Sequence, residues 1–231
     1  MISRGTIGVV IPTLNEEAHL ERLLLRLKSL PHIAQIVVCD GGSSDSTHEI
    51  AQRNGATVVE TIANRGAQMN AGARVCQSEI VWFLHADTFP AQSSTRLITK
   101  ALRNLQVVGG NFRLRFDTRS RGAHLVENIA RVLRGFGVYY GDSGIWMRRE
   151  TFEKIGGYEN WPLFEDFDLV RRLECFAKRR GQKTLCLAPP LTVSSRRFRG
   201  GVGRLLWRWC ELQILFWLGV SPHVLARRYR K

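Results

Sequence analysis

Phosphate-binding glycine loops are missing from this chain: neither GxxxxGK[ST] nor GxGxxG after a strand-like run occurs. The first absence excludes the P-loop NTPases, and the second argues against a dinucleotide enzyme. No CxxC pair is present either. The five cysteines, Cys39, Cys76, Cys175, Cys186 and Cys210, are odd in number and far apart. They offer no close metal-ligand spacing and are expected to be reduced thiols of a cytosolic protein. No secretory signal is expected, since the strand-like TIGVVIP begins almost at once, without a basic stretch and an apolar core before it. No run is apolar enough to span a bilayer: LLWRWCELQILFWLGV, residues 205–220, is short and carries Arg208 and Glu211. It suits lying on a membrane instead. Acids are scarce, 20 Asp and Glu against 34 Lys and Arg, so the formal charge is +14. That excess favours anionic partners, whether nucleotide diphosphates, nucleic acid or an acidic membrane surface.

What is present is an alternation. Residues 6–116 pass between short apolar runs and amphipathic stretches, the pattern of βαβ units and a mainly parallel sheet. The 231 residues allow one large α/β domain, or a compact domain with a helical tail. TIGVVI, AQIVVCD, ATVVET and EIVWFLHAD read as strands. Between them, EEAHLERLLLRLKSL has Leu20, Leu23, Leu24 and Leu27 at helical spacing, and a second helix starts near Ser43 or Ser44 and ends at Asn54-Gly55. Further on, VVGGNFRLRF suggests an antiparallel or edge strand, residues 120–135 a basic helix, and VYYGDSGIWMRR a strand, turn and strand. EDFDLVRRLECFAKRRG reads as a helix ending at Gly181; a basic loop, SSRRFRGGVGR, then leads to an aromatic C-terminal helix.

Chemistry-bearing acids sit at element ends. Asp40 and Asp87 each close a predicted strand, and in open α/β sheets the ligand crevice lies outside those ends. The plainer alternatives are a turn former before Gly41-Gly42 and a helix N-cap. Glu165, Asp166 and Asp168 open a helix, where acids also complement the macrodipole.

VVIPTLNEE, VVCDGGSSDST, NRGAQMNAGA, FLHADT, GDSGIWMRR and LFEDFDLVRRL, in that order and spacing, resemble the family 2 inverting glycosyltransferases of the GT-A fold. Within that family the chain looks most like the small bacterial radical-SAM/selenodomain-associated glycosyltransferases. The resemblance covers residues 5 to about 200 and implies a Rossmann-like, mainly parallel α/β sheet flanked by helices, with residues 201–231 as a helical extension packed on it. It implies that Pro12, Thr13, Asn15 and Glu16 line the nucleotide pocket, that Asp40 meets the base, and that Gly66, Asn70 and Gly72 shape the diphosphate side. His85-Ala86-Asp87 stands where the family has an Asp-x-Asp motif, so Asp87 inherits the divalent metal, Mn²⁺ or Mg²⁺. His85 is expected to contact nucleotide or line the cleft, with metal ligation the alternative. Glu165-Asp166 match the family's Glu-Asp pair, whose Asp is the base that takes a proton from an acceptor hydroxyl. Gly141, Asp142, Ser143 and Gly144 would build the acceptor wall, and Arg196 and Arg197 would lie near the diphosphate.

The implied reaction moves a sugar from a nucleotide-diphosphate sugar to an unknown acceptor in a single displacement. Two alternatives stay open: a degenerate protein that binds nucleotide sugar without turnover, and a basic nucleic-acid or nucleotide-binding module. Against the latter, the chain has no recognised nucleic-acid motif and its basic residues are spread along it. For the C-terminal aromatics Trp207, Trp209, Phe216 and Trp217, among Arg204, Arg208, Arg227, Arg228 and Arg230, there are three readings. The helix packs back on the domain, docks peripherally on the inner face of the membrane, or forms a homodimer contact.

Overall fold

The computed structural model describes residues 5–230, apart from the side chains of Arg197, Arg199 and Arg230. Three parallel units come first. Strands β1 (Ile7–Thr13), β2 (Ile33–Asp40) and β3 (Thr57–Glu60) are joined by helices α1 (Glu17–Lys28) and α2 (Thr47–Arg53), and α3 (Arg65–Val75) leads to β4 (Ile80–Phe83). A two-residue β5 (Thr88–Phe89) and α4 (Ser94–Leu102) follow, then β6 (Val107–Phe116) and α5 (Arg121–Gly135). A 3-10 turn at Gly141–Ser143 precedes β7 (Trp146–Arg148), α6 (Arg149–Lys154), α7 (Glu165–Arg179) and β8 (Lys183–Val193). A second 3-10 segment, Ser195–Gly200, joins β8 to α8 (Val202–Trp217) and α9 (Pro222–Arg230).

These strands form one sheet in the order β3-β2-β1-β4-β7-β6-β8-β5. Strands β1 to β4 pair in parallel; β7 is antiparallel to both β4 and β6, and β8 returns parallel to β6. Because these strands run parallel, their C-terminal ends lie on the same side: β2 ends level with β1, Thr13 pairing with Asp40, and β4 ends at Phe83, opposite Val10. The loops after β1, β2 and β4 therefore emerge along one edge, as the acids at strand ends required.

Side-chain alternation along β1 feeds two cores. Ile7, Val9 and Ile11 join Leu20, Leu23, Leu24 and Leu27 of α1 and Ile98 of α4 on one face. Val10 faces Met69 and Ala73 of α3 and Leu169, Val170 and Leu173 of α7 on the other. The apolar spacing in α1 thus does what a 3.6-residue period predicts.

Several expectations need correction. VVGGNFRLRF is antiparallel to β7, one of the two readings its alternation offers, but it is interior rather than an edge, with β8 parallel on its other side. VYYGDSGIWMRR supplies one strand, β7, preceded by the 3-10 turn. The helix α2 starts at Thr47, since Ser43 turns inward to Asp40. Strand β8, with Pro189 and Pro190 inside it, was not expected at all.

The C-terminal helices meet the rest of the chain through aromatic contacts. Phe216 of α8 stacks near Phe164, with ring centroids 4.6 Å apart, and Trp209 meets Tyr140 at 4.9 Å. Tyr140 also donates its hydroxyl to Gln213 at 2.9 Å. Leu212 and Leu225 are buried there against Phe164 and Phe167.

Candidate active site

Two cavities lie at this edge and share Arg65, His85, Asp87 and Pro162 in their walls. The smaller, of about 230 Å³, is bounded by Pro12, Thr13, Glu16, Gln68 and Arg196 as well. The larger, of about 800 Å³, runs between β6, α5, α7 and α8 and takes in Asp142, Ser143, Glu165 and Asp166. Its wall mixes apolar groups such as Phe116, Ile129, Leu206 and Trp209 with Arg113, Arg115 and Arg131.

The loops after β1 and β2 are clasped together. Asn15, at φ +54, donates its N–H to Ser43 Oγ at 2.9 Å and accepts the N–H of Ser44 on Oδ1 at 2.8 Å. Asp40 closes the same turn. Its Oδ1 accepts from the hydroxyls of Thr13 at 3.1 Å and Ser43 at 2.5 Å, and its Oδ2 accepts the N–H groups of Gly42 at 3.2 Å and Ser43 at 2.9 Å. Four donors on one buried carboxylate make a rigid Asx-type turn. Asn15 and Asp40 thus stand behind the small cavity, not in its wall.

Gly66, Asn70 and Gly72 are engaged in packing. A Cβ on Gly66 would lie 2.0 Å from the Glu159 carbonyl oxygen, and one on Gly72 would lie 2.4 Å from Val10 Cγ1. Asn70 accepts the Tyr158 N–H at 2.9 Å and donates to the Tyr158 carbonyl at 2.7 Å. These residues tie α3 to the sheet and to the segment before α7, and so fix where α7 begins.

At that helix start, Asp166 Oδ2 accepts the Gly141 N–H at 2.7 Å and Oδ1 accepts the Phe167 N–H at 2.7 Å. Each oxygen keeps a further acceptor direction. The position of a Cβ on Gly141 would be 3.0 Å from His85 Nε2 and 3.2 Å from Asp166 Oδ2. A Cβ there would crowd both the imidazole and the carboxylate, so glycine favours their close approach to this backbone. Ser143 donates its hydroxyl to the Tyr140 carbonyl at 2.6 Å and accepts Asn111 Nδ2 at 3.1 Å. It shapes the turn that carries Gly141. Gly144, at φ +67, fits against Leu191, Leu84 and Trp82.

Glu165 is buried beside Arg65, where both border the large cavity. It is 1% exposed, and burial pushes its carboxyl up to about 7; Arg65 opposes that rise and Asp166 adds to it. Arg65 Nη1 lies 3.4 Å from Glu165 Oε1. Arg65 was missed from sequence, yet it carries a signal. It opens α3 directly after the Asn64 cap, where a cation opposes the helix dipole, and an unfavourable charge there suggests a partner elsewhere.

Asp87 is the candidate cation ligand, and its carboxylate is almost wholly buried in the cavity wall. Among the described residues no group of three or more His, Cys, Asp and Glu is placed to hold a metal ion. A single carboxylate still suits Mg²⁺ or Mn²⁺, which keep waters and take substrate phosphate oxygens as their remaining ligands. Asp87 also lies 3.1 Å from Arg196 Nε, and Arg196 in turn grips Glu16. The side chain of Arg197 falls outside the described residues.

Comparison with known proteins bears on the fold and the family. Over 197 residues the chain is 29% identical to the succinoglycan biosynthesis protein ExoA of Rhizobium meliloti, covering 71% of this chain and 57% of that protein. Over 156 residues it is 35% identical to the undecaprenyl-phosphate 4-deoxy-4-formamido-L-arabinose transferase of Pseudomonas paraeruginosa, covering 62% and 46%. The chain therefore spans about half the length of the curated relatives it matches. Among solved structures, the mannosyltransferase PcManGT of Pyrobaculum calidifontis, in complex with GDP-Man and Mn²⁺, superposes with a TM-score of 0.66 at 22% identity. That match covers 90% of this chain and 61% of the other. S. aureus TarS gives 0.65 at 14%, covering 82% and 60%. These likenesses show the fold, a GT-A sheet with flanking helices. The model described as Glycosyl transferase family 2 matches residues 8–156, from β1 through α6, and by that match the chain belongs to glycosyl transferase family 2.

Proposed function

We propose that the protein is an inverting glycosyltransferase that moves a sugar from a nucleotide-diphosphate sugar to an acceptor hydroxyl. The observation that carries this is the approach of His85 and Asp166 at Gly141, with His85 and Asp87 in the wall that a small polar cavity shares with a large one. The small cavity takes the nucleotide diphosphate, with Pro12, Thr13 and Glu16 in its wall. The large one takes the acceptor, with Asp142 and Ser143 on its wall. The sugar then lies at their junction.

Asp166 is oriented by the N–H groups of Gly141 and Phe167 and accepts the proton of the acceptor hydroxyl as that oxygen attacks the anomeric carbon. One base suffices for a single displacement with inversion. His85 lines the sugar side of the junction. Asp87 holds the divalent cation, Mn²⁺ or Mg²⁺, which when bound offsets the charge of the departing diphosphate. Arg65, shared by both cavities, faces the same developing charge.

A second feature supports peripheral membrane contact. Trp207 and Ile214 recur at helical spacing on the outward face of α8, with Trp217 at its end and Leu218 directly after it, and they are 75%, 52%, 66% and 75% exposed. Arg204 flanks that face. Among the described residues no helix is long and apolar enough to cross a membrane. The face therefore suits the headgroup region, with an acceptor presented from that surface; a homodimer contact is the competing occupant.

The test begins with thermal shifts for UDP, GDP, dTDP and CDP, each with and without Mn²⁺ or Mg²⁺. A cation-dependent rise with one diphosphate is the expected result. No rise with any of them would turn the reading toward a non-catalytic protein. With the donor so identified, Asp166→Asn should keep donor binding while transfer falls at least about a hundredfold. Near-normal transfer would remove Asp166 as the base.

A further inference from the structure

Arg196 lies across the small cavity in a way that the donor reading alone does not require. Its guanidinium donates to both carboxylate oxygens of Glu16, at 2.9 and 2.6 Å, while its Nε sits 3.1 Å from Asp87 Oδ2. One cation thus bridges the loop after β1 and the turn after β4, and it comes from the segment after β8. The carboxylate it neutralises is the one proposed to hold the divalent ion. The cavity beneath it, about 230 Å³, is also smaller than the roughly 300–1,000 Å³ usual for small-ligand sites. A nucleoside diphosphate needs that bridge to move.

The segment that carries Arg196 is anchored at both ends. Ser195 N–H donates to Asp117 Oδ1 at 2.9 Å, and the Phe198 ring lies 4.5 Å from that of Phe116. Gly201, at φ +89 and with open space around it, follows as the joint to α8. Between these anchors the guanidinium can exchange partners without unfolding either neighbour.

We propose that Arg196 is a displaceable latch on the donor site, a deepening that rests on the donor reading given above. Without ligand, it occupies Asp87 and excludes a divalent cation. The donor diphosphate, an anion of higher charge density, takes Arg196 as its own partner and releases Asp87 to the cation that the diphosphate carries. Asp87 exchanges one cationic partner for another. Cation and diphosphate therefore bind cooperatively, each raising the affinity of the other. An arginine that only binds diphosphate predicts weaker nucleotide binding on its removal. A latch predicts opposite signs for the two ligands.

The experiment titrates Mn²⁺ alone, followed by electron paramagnetic resonance of the free ion, into wild type, Arg196→Ala, Asp87→Asn and the double variant. Arg196→Ala should bind Mn²⁺ about tenfold more tightly than wild type, and the gain should vanish in the double variant. In calorimetry with Mn²⁺ present, the same substitution should weaken the diphosphate at least about tenfold. Arg196→Gln, closer in shape, repeats the titration if the alanine variant is poorly folded by circular dichroism. Unchanged Mn²⁺ affinity in the folded variant overturns the latch. So does a gain that persists in the double variant, because the ion then sits away from Asp87. Failure of every diphosphate to bind wild type overturns the donor reading instead, and the Mn²⁺ titration still judges the latch.

Discussion

At the scale of single residues, the two adjacent acids of α7 have separate environments. Asp166 faces the cavity through backbone donors, while Glu165 is buried beside Arg65. Burial raises the Glu165 carboxyl from its ordinary 4.5 to about 7, so between those values the folded protein holds a proton that the unfolded chain has released. Stability from this group is complete below pH 4.5 and is lost as pH rises through 7. A shift of that size corresponds to on the order of 3 kcal/mol. Glu165→Gln removes the titration, so the melting temperature of the variant relative to wild type should climb between pH 5 and 8. A difference that stays flat across that window would mean that Glu165 does not carry the proton. The acids themselves could be read from sequence, because strand ends and helix starts are local patterns. Their partners could not. Arg196 is 180 positions from Glu16, and Arg65 is 100 from Glu165, so only the closed sheet brings them together.

At the scale of elements, the parallel half was readable because short apolar runs alternate with helix-length stretches, of which α1 shows a clear apolar spacing. The other half was not. Pro189 and Pro190 hide β8, since proline lacks the ladder donor and argues against an interior strand. Their strand survives next to β6 because the register slips between Phe112 and Leu114, opposite the proline pair. Gly66 and Gly72 of α3, which the resemblance sets on the diphosphate side, also press closely on other backbone and core. That packing is measurable. Gly66→Ala would drive a methyl into the Glu159 carbonyl, which is main chain and has little room to yield. It should destabilise by about 1–3 kcal/mol in denaturant unfolding. Gly203→Ala, in α8 with open space around it, should be neutral or stabilise by up to about 1 kcal/mol. Equal effects of the two would show that close packing at Gly66 is not what holds α3 in place.

At the scale of the whole molecule, charge and aromatic placement act together. The +14 excess attracts the chain to any anionic surface, but only a face with apolar side chains gains from partial insertion. Helix α8 has such a face opposite the one that packs on Phe164 and Phe167, so its two sides divide between core and surroundings. Each basic residue near an anionic leaflet adds about 1 kcal/mol, screened within a Debye length, and the buried rings add a salt-insensitive part. Wild-type protein should therefore cosediment with phosphatidylcholine vesicles containing phosphatidylglycerol, and far less with phosphatidylcholine alone. Trp207→Glu with Trp217→Glu should lower that binding at least about tenfold while leaving the melting temperature within a few degrees, because both rings are exposed. Binding that depends on salt but ignores the two tryptophans would reduce the contact to bulk charge. If the pair instead abolishes a dimer seen by analytical ultracentrifugation in the absence of lipid, the face belongs to a second copy of the chain rather than to a membrane.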